Sequence, residues 1–232
     1  MLSVLEAIHG RQSVRAFLKD RSVDQETVLR ILDAGARAPN GSNIQPWRVH
    51  VLTGAARDAF CAELEQAFLA GETDERDYAY YMNAWREPYL QRRRETGWGL
   101  YAQVGIRKGD YEATMRQQAA NYRFFDAPVG LMITMDRDMG QGAWLDMGAF
   151  IQTVLLAARG EGLEACAQAI FCNYPNKIRA LLDLPPSDLI VTGLAIGHPD
   201  RAAAINRYRT PRRPAHAFAT FHSELPQRIA AE

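Results

Sequence analysis

Apolar residues fall at helical spacing in some stretches of the chain and alternate with polar residues in others, and these two periodicities divide it into elements. Ser3 followed by Glu6 makes a capping box, and Leu5 and Ile8 give a short amphipathic helix that stops near Gly10. Asp24 caps a second helix with Val28, Leu29, Ile31 and Leu32 on its apolar face, ending before Pro39 and the turn-rich run Asn40, Gly41, Ser42, Asn43. Trp47, Val49 and Val51 alternate with polar neighbours, as a strand does. A third helix is predicted over residues 54–70, with others over 112–124, 143–159 and 176–182. Strands are predicted over 129–135 and 189–196, with a short stretch at 163–169 between them. Gly160 and Gly162 end the long apolar helix.

Helices outnumber the few scattered strands, so the fold class is α+β, with helices around a modest sheet rather than a doubly wound arrangement. Two segments stand outside this pattern. Residues 72–111 mix many charges with Tyr78, Tyr80, Tyr81, Trp85, Tyr89, Trp98 and Tyr101, and look inserted rather than core-building. From about residue 201 to 232 the chain is rich in arginine and proline, and Pro211, Pro214 and Pro226 forbid a continuous helix. The whole of 1–232 is expected to be one domain carrying a lid-like insertion and a C-terminal arm.

Composition narrows the function classes. Twenty-seven Lys+Arg balance 27 Asp+Glu, which argues against a dedicated nucleic-acid binder. Cys61, Cys166 and Cys172 are too few for a disulfide framework, and the last two match no common zinc or dithiol spacing. The five histidines are dispersed, so no metal site is expected. Without a basic leader or an apolar run of membrane-spanning length, a soluble cytoplasmic protein is expected, with no membrane partner. There is no G-x-G-x-x-G after a strand, no Walker motif, no H-E-x-x-H and no G-x-S-x-G.

Three stretches carry candidate chemistry. In Arg11-Gln12-Ser13-Val14-Arg15 two guanidiniums flank a hydroxyl just past a helix, suited to one phosphate; a solvated basic turn accounts for it as well. In the stretch from Ala38 to Trp47, two prolines and a glycine fix an irregular backbone presenting Asn43 and Gln45, suited to a heterocycle edge or simply to a turn with Trp47 as core filler. Asn206, Arg207, Arg209, Arg212 and Arg213 form an arm that either wraps a partner, returns to an anion site or stays solvated.

In this order and spacing, RQSVR at 11–15, APNGSNIQPW at 38–47, NYRFFDAPVGL at 121–131 and INRYRTPR at 205–212 resemble the FMN-dependent nitroreductase superfamily. The resemblance runs from Ser3 to about Phe221, and the helix through Asp146, Met147, Gly148 and Leu156 looks like that family's long central dimer helix. It implies a homodimer with FMN sites built from both chains, over a mixed central sheet enclosed by helices. Arg11, Gln12, Ser13 and Arg15 would then hold the FMN phosphate and ribityl chain, with Arg212 and Arg209 joining from the arm. Pro39, Asn40 and Asn43 would reach the cofactor from the opposite subunit, Gln45 would support that loop, and Gln168, Ala169 and Ile170 would lie near flavin N5. Relatives often carry Pro-Gln-Glu where this chain has Ala167-Gln168-Ala169, so a carboxylate is missing there.

The implied activity is ping-pong transfer of reducing equivalents from NAD(P)H through FMN to aromatic nitro compounds. No side chain serves as a catalytic group, because the flavin carries the chemistry. The aromatic insertion and Arg92-Arg93-Arg94 would form a lid over the flavin, with Tyr89, Trp98 and Tyr101 as candidate substrate contacts. Packing of those rings on the body is the alternative. Enones, quinones or halogenated aromatics are alternative oxidants, and a non-catalytic flavin sink or sensor is an alternative of another class. Composition alone leaves a helical dimerisation module open.

Overall fold

The apolar runs Val129–Asp136 (β2) and Asp188–Gly197 (β4) make the centre of the sheet, paired antiparallel with Leu131 opposite Leu194. The computed structural model describes residues 2–224. Arg48–Thr53 (β1) flanks β2 and Glu164–Gln168 (β3) flanks β4, giving the order β1-β2-β4-β3. These pairings are all antiparallel, and the sheet is mixed through the isolated parallel bridge of Ser13 to Ala165.

Helices cover both faces, which is why β2 and β4 read as nearly continuous apolar runs. The period of two survives in which side each residue faces. Leu131, Ile133 and Met135 pack with Gln25–Gly35 (α2) and Gln141–Gly160 (α6), whereas Met132 packs with Gly54–Leu69 (α3) and Pro175–Leu182 (α7). On α6, Ala143, Met147, Phe150, Val154 and Ala158 form one buried stripe at helical spacing. No side chain caps this helix at Gly140, so burial worth about 1.5–3 kcal/mol for each large side chain holds it in place.

Two glycines set how the elements meet on the α3 side. Gly130 in β2 and Gly193 in β4 leave room where a Cβ would strike the rings of Phe124 and Phe171. Those rings stack at 4.7 Å beneath the sheet. Phe124, Phe125 and Asp126 have φ of 52°, 54° and 64°, so the predicted helix over 112–124 ends at Ala119 (Tyr111–Ala119, α5) and continues as a 3₁₀ segment, Ala120–Asp126. The left-handed residues turn both phenylalanines into the core, where burial outweighs the helical period.

Other expectations shift in instructive ways. The capping box of Val4–Gly10 (α1) is present, but Leu2, Val4, Leu5 and Ile8 are exposed and Ala7 alone is buried. In β1, an edge strand, Leu52 is the buried residue and Val51 faces out. The 72–111 segment contains an unpredicted helix, Tyr89–Ala102 (α4), which buries no residue and therefore leaves no apolar stripe to detect. Tyr78 is core-building after all: it packs against the α6 cluster and donates a 2.6 Å hydrogen bond to the Val191 carbonyl. Asp77 beside it accepts from Arg179 at 2.7 Å, Arg137 at 2.8 Å and the Ile190 amide at 3.2 Å. Burial pushes the Asp77 carboxyl up, yet the hydrogen bonds from the two arginines outweigh it and hold the group below its ordinary value. Pro226 and the rest of the arm past residue 224 lie outside the described residues.

Candidate active site

The basic turn and the arm meet. Arg11, Gln12, Ser13, Arg15, Arg209 and Arg212 line a cavity of about 650 Å³, together with His9, Gln152 and Tyr208, and no acidic residue lines it. The backbone that makes this possible is pinned twice. Ser13 bridges to Ala165 of β3, and the Arg15 amide donates to Asn206 Oδ1 at 2.7 Å. Asn206 in turn donates at 2.8 Å to the carbonyls of Ala16 and Asp200, so one buried amide fastens turn and arm together. Arg15 Nη1 donates to the Ser13 carbonyl at 3.1 Å and Arg212 Nη1 to Thr210 Oγ1 at 2.6 Å, contacts that aim cations without neutralising them. Four guanidiniums without a lining carboxylate form an anion site with the charge of a phosphate receptor.

A second cavity, of about 610 Å³, lies at the other end of β3. Ala169, Ile170, Cys172 and Asn173 form one wall, and Tyr78, Tyr80, Tyr81 and Trp85 from the insertion form another. Ser13 sits against Ala165, and β3 advances about 3.3 Å per residue, so the anion cavity and Ala169 are roughly 13 Å apart along the strand. That separation matches a phosphate at one end of an extended chain and a flat ring at the other.

Gln168 and Asn121 explain a motif that sequence alone left without a role. Gln168 is buried and its Nε2 donates to the Asn121 carbonyl at 2.8 Å, while Tyr122 donates to the Ile170 carbonyl at 3.4 Å. The backbone at 168–170 is thereby held from the 3₁₀ segment. Three buried acceptors find no donor among the described residues: Gln12 Oε1, which lines the anion cavity, Glu164 Oε2, and Gln168 Oε1, which lines neither cavity but directly precedes Ala169 of the aromatic one. Buried amide oxygens call for partners, and Gln12 sits where a hydroxylated chain in the anion cavity would supply one.

The remaining expected residues are distributed differently. Pro39, Asn40, Asn43 and Gln45 line neither cavity; their loop is tied to α6 through the Gly41 amide and Asp146 at 3.2 Å. Asn40 Oδ1 accepts from the Gln45 amide at 2.9 Å, and Ser42, Asn43 and Gln45 all have positive φ, so the loop is built to hold one shape. Trp47 stacks on Phe150 at 4.7 Å and is core. Trp98 and Tyr101 line a third cavity beside the aromatic one, whereas Tyr89 lines neither and is flanked by Arg86 and Arg92. The arm also reaches the insertion: Tyr208 packs on Gly99 of α4 and donates to the Glu95 carbonyl at 3.3 Å.

Residues 8–198 match the Nitroreductase family, and the chain belongs to it. It is 38% identical over 217 residues to 4-nitrobenzoate reductase of Nocardioides sp. (strain LMS-CY), covering 92% of this chain and 87% of that one. It is 34% identical to chloronitrobenzene nitroreductase of Comamonas testosteroni, covering 94% and 96%. The crystal structure of the FMN-dependent nitroreductase NfnB from Mycobacterium smegmatis in complex with NADPH superposes with a TM-score of 0.89 at 31% identity, covering 94% of this chain and 97% of that one.

Proposed function

We propose that this protein is an FMN-dependent oxidoreductase that passes reducing equivalents from NAD(P)H to aromatic nitro compounds. The observation that carries this reading is the pairing of a four-arginine anion cavity with an aromatic cavity at opposite ends of β3. Arg11, Arg15, Arg209 and Arg212 would take the FMN phosphate, and Gln12 and Ser13 the chain behind it. Gln168, Ala169 and Ile170 would meet the flavin edge, with Gln168 Oε1 as an acceptor. FMN held there would supply the redox chemistry, as hydride acceptor for NAD(P)H and electron donor to a nitroarene. Tyr80, Tyr81 and Trp85 supply flat walls against which that nitroarene would stack.

The site is completed by a second copy of the chain. The exposed apolar face of α1, together with Ile44 and Leu145, is the surface that a homodimer would cover. The rigid 39–45 loop, unused by the cavities of its own chain, would then bring Asn40 and Asn43 to the partner's cofactor. Cytoplasmic residence fits Cys61, Cys166 and Cys172, all free and buried, and among the described residues no helix is long and apolar enough to cross a membrane.

The purified protein is expected to be yellow, to bleach under anaerobic NAD(P)H and to recover its colour with a nitroarene. Protein that neither carries nor takes up FMN would overturn the reading. Enones and quinones offered in the same assay rank the oxidants.

A further inference from the structure

The third cavity, of about 660 Å³, is lined by Arg93, Arg94, Gly97, Trp98 and Tyr101 of α4 together with Lys108, Thr114 and Gln118. Arg94, Gly97, Trp98 and Tyr101 stand at helical spacing, so one face of α4 makes the wall. Gly97 meets nothing within 4 Å where a Cβ would be, which keeps the floor open. Trp98 and Tyr101 meet edge to face at 6.1 Å and give the cavity a flat side.

Its charge is one-sided. Arg93, Arg94 and Lys108 line it, no Asp or Glu does, and none of the three cations forms an ion pair among the described residues. The nearest acids in sequence are used elsewhere. Glu95 accepts from Gln91, Glu112 pairs with Arg116, and Asp110 caps α5 through the Ala113 amide. Arg93 and Gln118 also line the aromatic cavity, so the two spaces adjoin. Arg93 lies 4.8 Å over the Trp85 ring at the junction.

A nitroarene is accounted for by the aromatic cavity alone, which leaves the cationic one without a role. The reductant is the longer substrate, and its far end is an adenosine. We propose that this third, cationic cavity receives the adenosine end of the nicotinamide nucleotide, and that Arg94 and Lys108 select NADPH over NADH by binding the 2′-phosphate. The assignment rests on the reductase reading above. NADH and NADPH differ only in that phosphate, which carries about two negative charges near neutral pH. Arg93, shared with the aromatic cavity, lies where both nucleotides pass; Arg94 and Lys108, confined to the far cavity, are the residues placed to tell them apart. Trp98 offers the adenine a flat partner.

The test uses the flavin-loaded protein and its Arg94→Gln/Lys108→Gln variant, with visible absorbance and melting as checks on folding. Calorimetry with adenosine 2′,5′-bisphosphate and with 5′-AMP reads the cavity without turnover. Steady-state kinetics with NADPH and NADH read it during turnover. The wild type is expected to bind the bisphosphate more tightly than 5′-AMP, and the variant to lose that difference. The KM for NADPH should rise roughly tenfold or more in the variant, with a much smaller change in kcat and in the NADH parameters. Added salt should weaken NADPH binding in the wild type more than in the variant.

Equal affinity for the two nucleotides in the wild type would overturn the proposal. So would a variant that shifts NADPH and NADH alike, or one that changes only the KM of a carboxylated nitroarene. The bisphosphate titration separates failure of this proposal from failure of the reductase reading, which falls if neither nucleotide bleaches the flavin.

Discussion

Asn206 Oδ1 accepts a 2.7 Å hydrogen bond from the Arg15 amide across 191 positions of sequence, and the same side chain donates to Ala16 and Asp200. The cation turn and the arm are therefore a single structural unit. Asn206→Ala leaves a buried amide and two carbonyls without partners, and is expected to cost about 2–3 kcal/mol of stability at roughly 1 kcal/mol per bond. FMN affinity should fall with it. Urea unfolding and quenching of FMN fluorescence read the two effects.

Arg11→Gln removes one of four guanidiniums from the anion cavity. FMN binding should weaken roughly ten- to a hundredfold, as for loss of charge-assisted bonds to a phosphate. Riboflavin, which lacks the phosphate, should bind both forms alike. An equal loss for both ligands would place the phosphate elsewhere.

Gly193→Ala puts a methyl group against the Phe171 ring, which is fully buried and stacked on Phe124. Overpacking of this kind costs about 1–3 kcal/mol. Ile170 precedes that phenylalanine and lines the aromatic cavity, so the KM for the nitroarene should rise as well. Melting temperature and steady-state kinetics check the pair of effects.

Asp77→Asn withdraws the charge that balances Arg179, whose side chain is only 10% exposed, and is expected to cost about 3 kcal/mol. The pH dependence has a definite sign. Because the Asp77 carboxyl is held low in the folded protein, its contribution is complete above the unfolded value of about 3.9 and is lost as pH falls through the folded value. Acid titrations of stability should be flatter below pH 4 in the variant.

Chains carrying Arg11→Gln and chains carrying Asn43→Ala should each be poorly active alone and regain activity when unfolded and refolded together. A shared site predicts this, since the mixed dimer has one cavity with neither change. Failure of the mixture to exceed its parents would put both residues in the same chain's site.

The elements that could be read from sequence were those whose signal is local. Ser3 with Glu6 and Asp24 with Thr27 cap their helices as the spacing requires, and the stripe from Ala143 to Ala158 is plain in the chain. Arg11 to Arg15 and the arm could be matched as motifs, but their meeting at one cavity depends on Asn206, whose partners are distant. Tyr78 and Asp77 were hidden because they serve Val191, Arg179 and Ile190, none of them near in sequence. Phe124 defeats the helical reading because its ring fills the space left by Gly130 in β2, a partner that helical periodicity cannot show. Composition groups Tyr89 with Trp98, yet helix geometry sends the two to different faces of α4.

The joining of Arg15 to Asn206 also sets the order in which the anion cavity can be assembled during synthesis. At about 5–20 residues per second, the ribosome delivers Asn206 roughly 10–40 s after Arg15. Until then the turn carrying the first two guanidiniums lacks its Asn206 anchor and has only the Ser13 bridge to β3 to hold it. Arg209 and Arg212 emerge last of the four, so the anion cradle closes only after the arm has followed Asn206 off the ribosome. A phosphate that needs all four guanidiniums would therefore be bound only after the arm has docked, and not by the N-terminal turn alone.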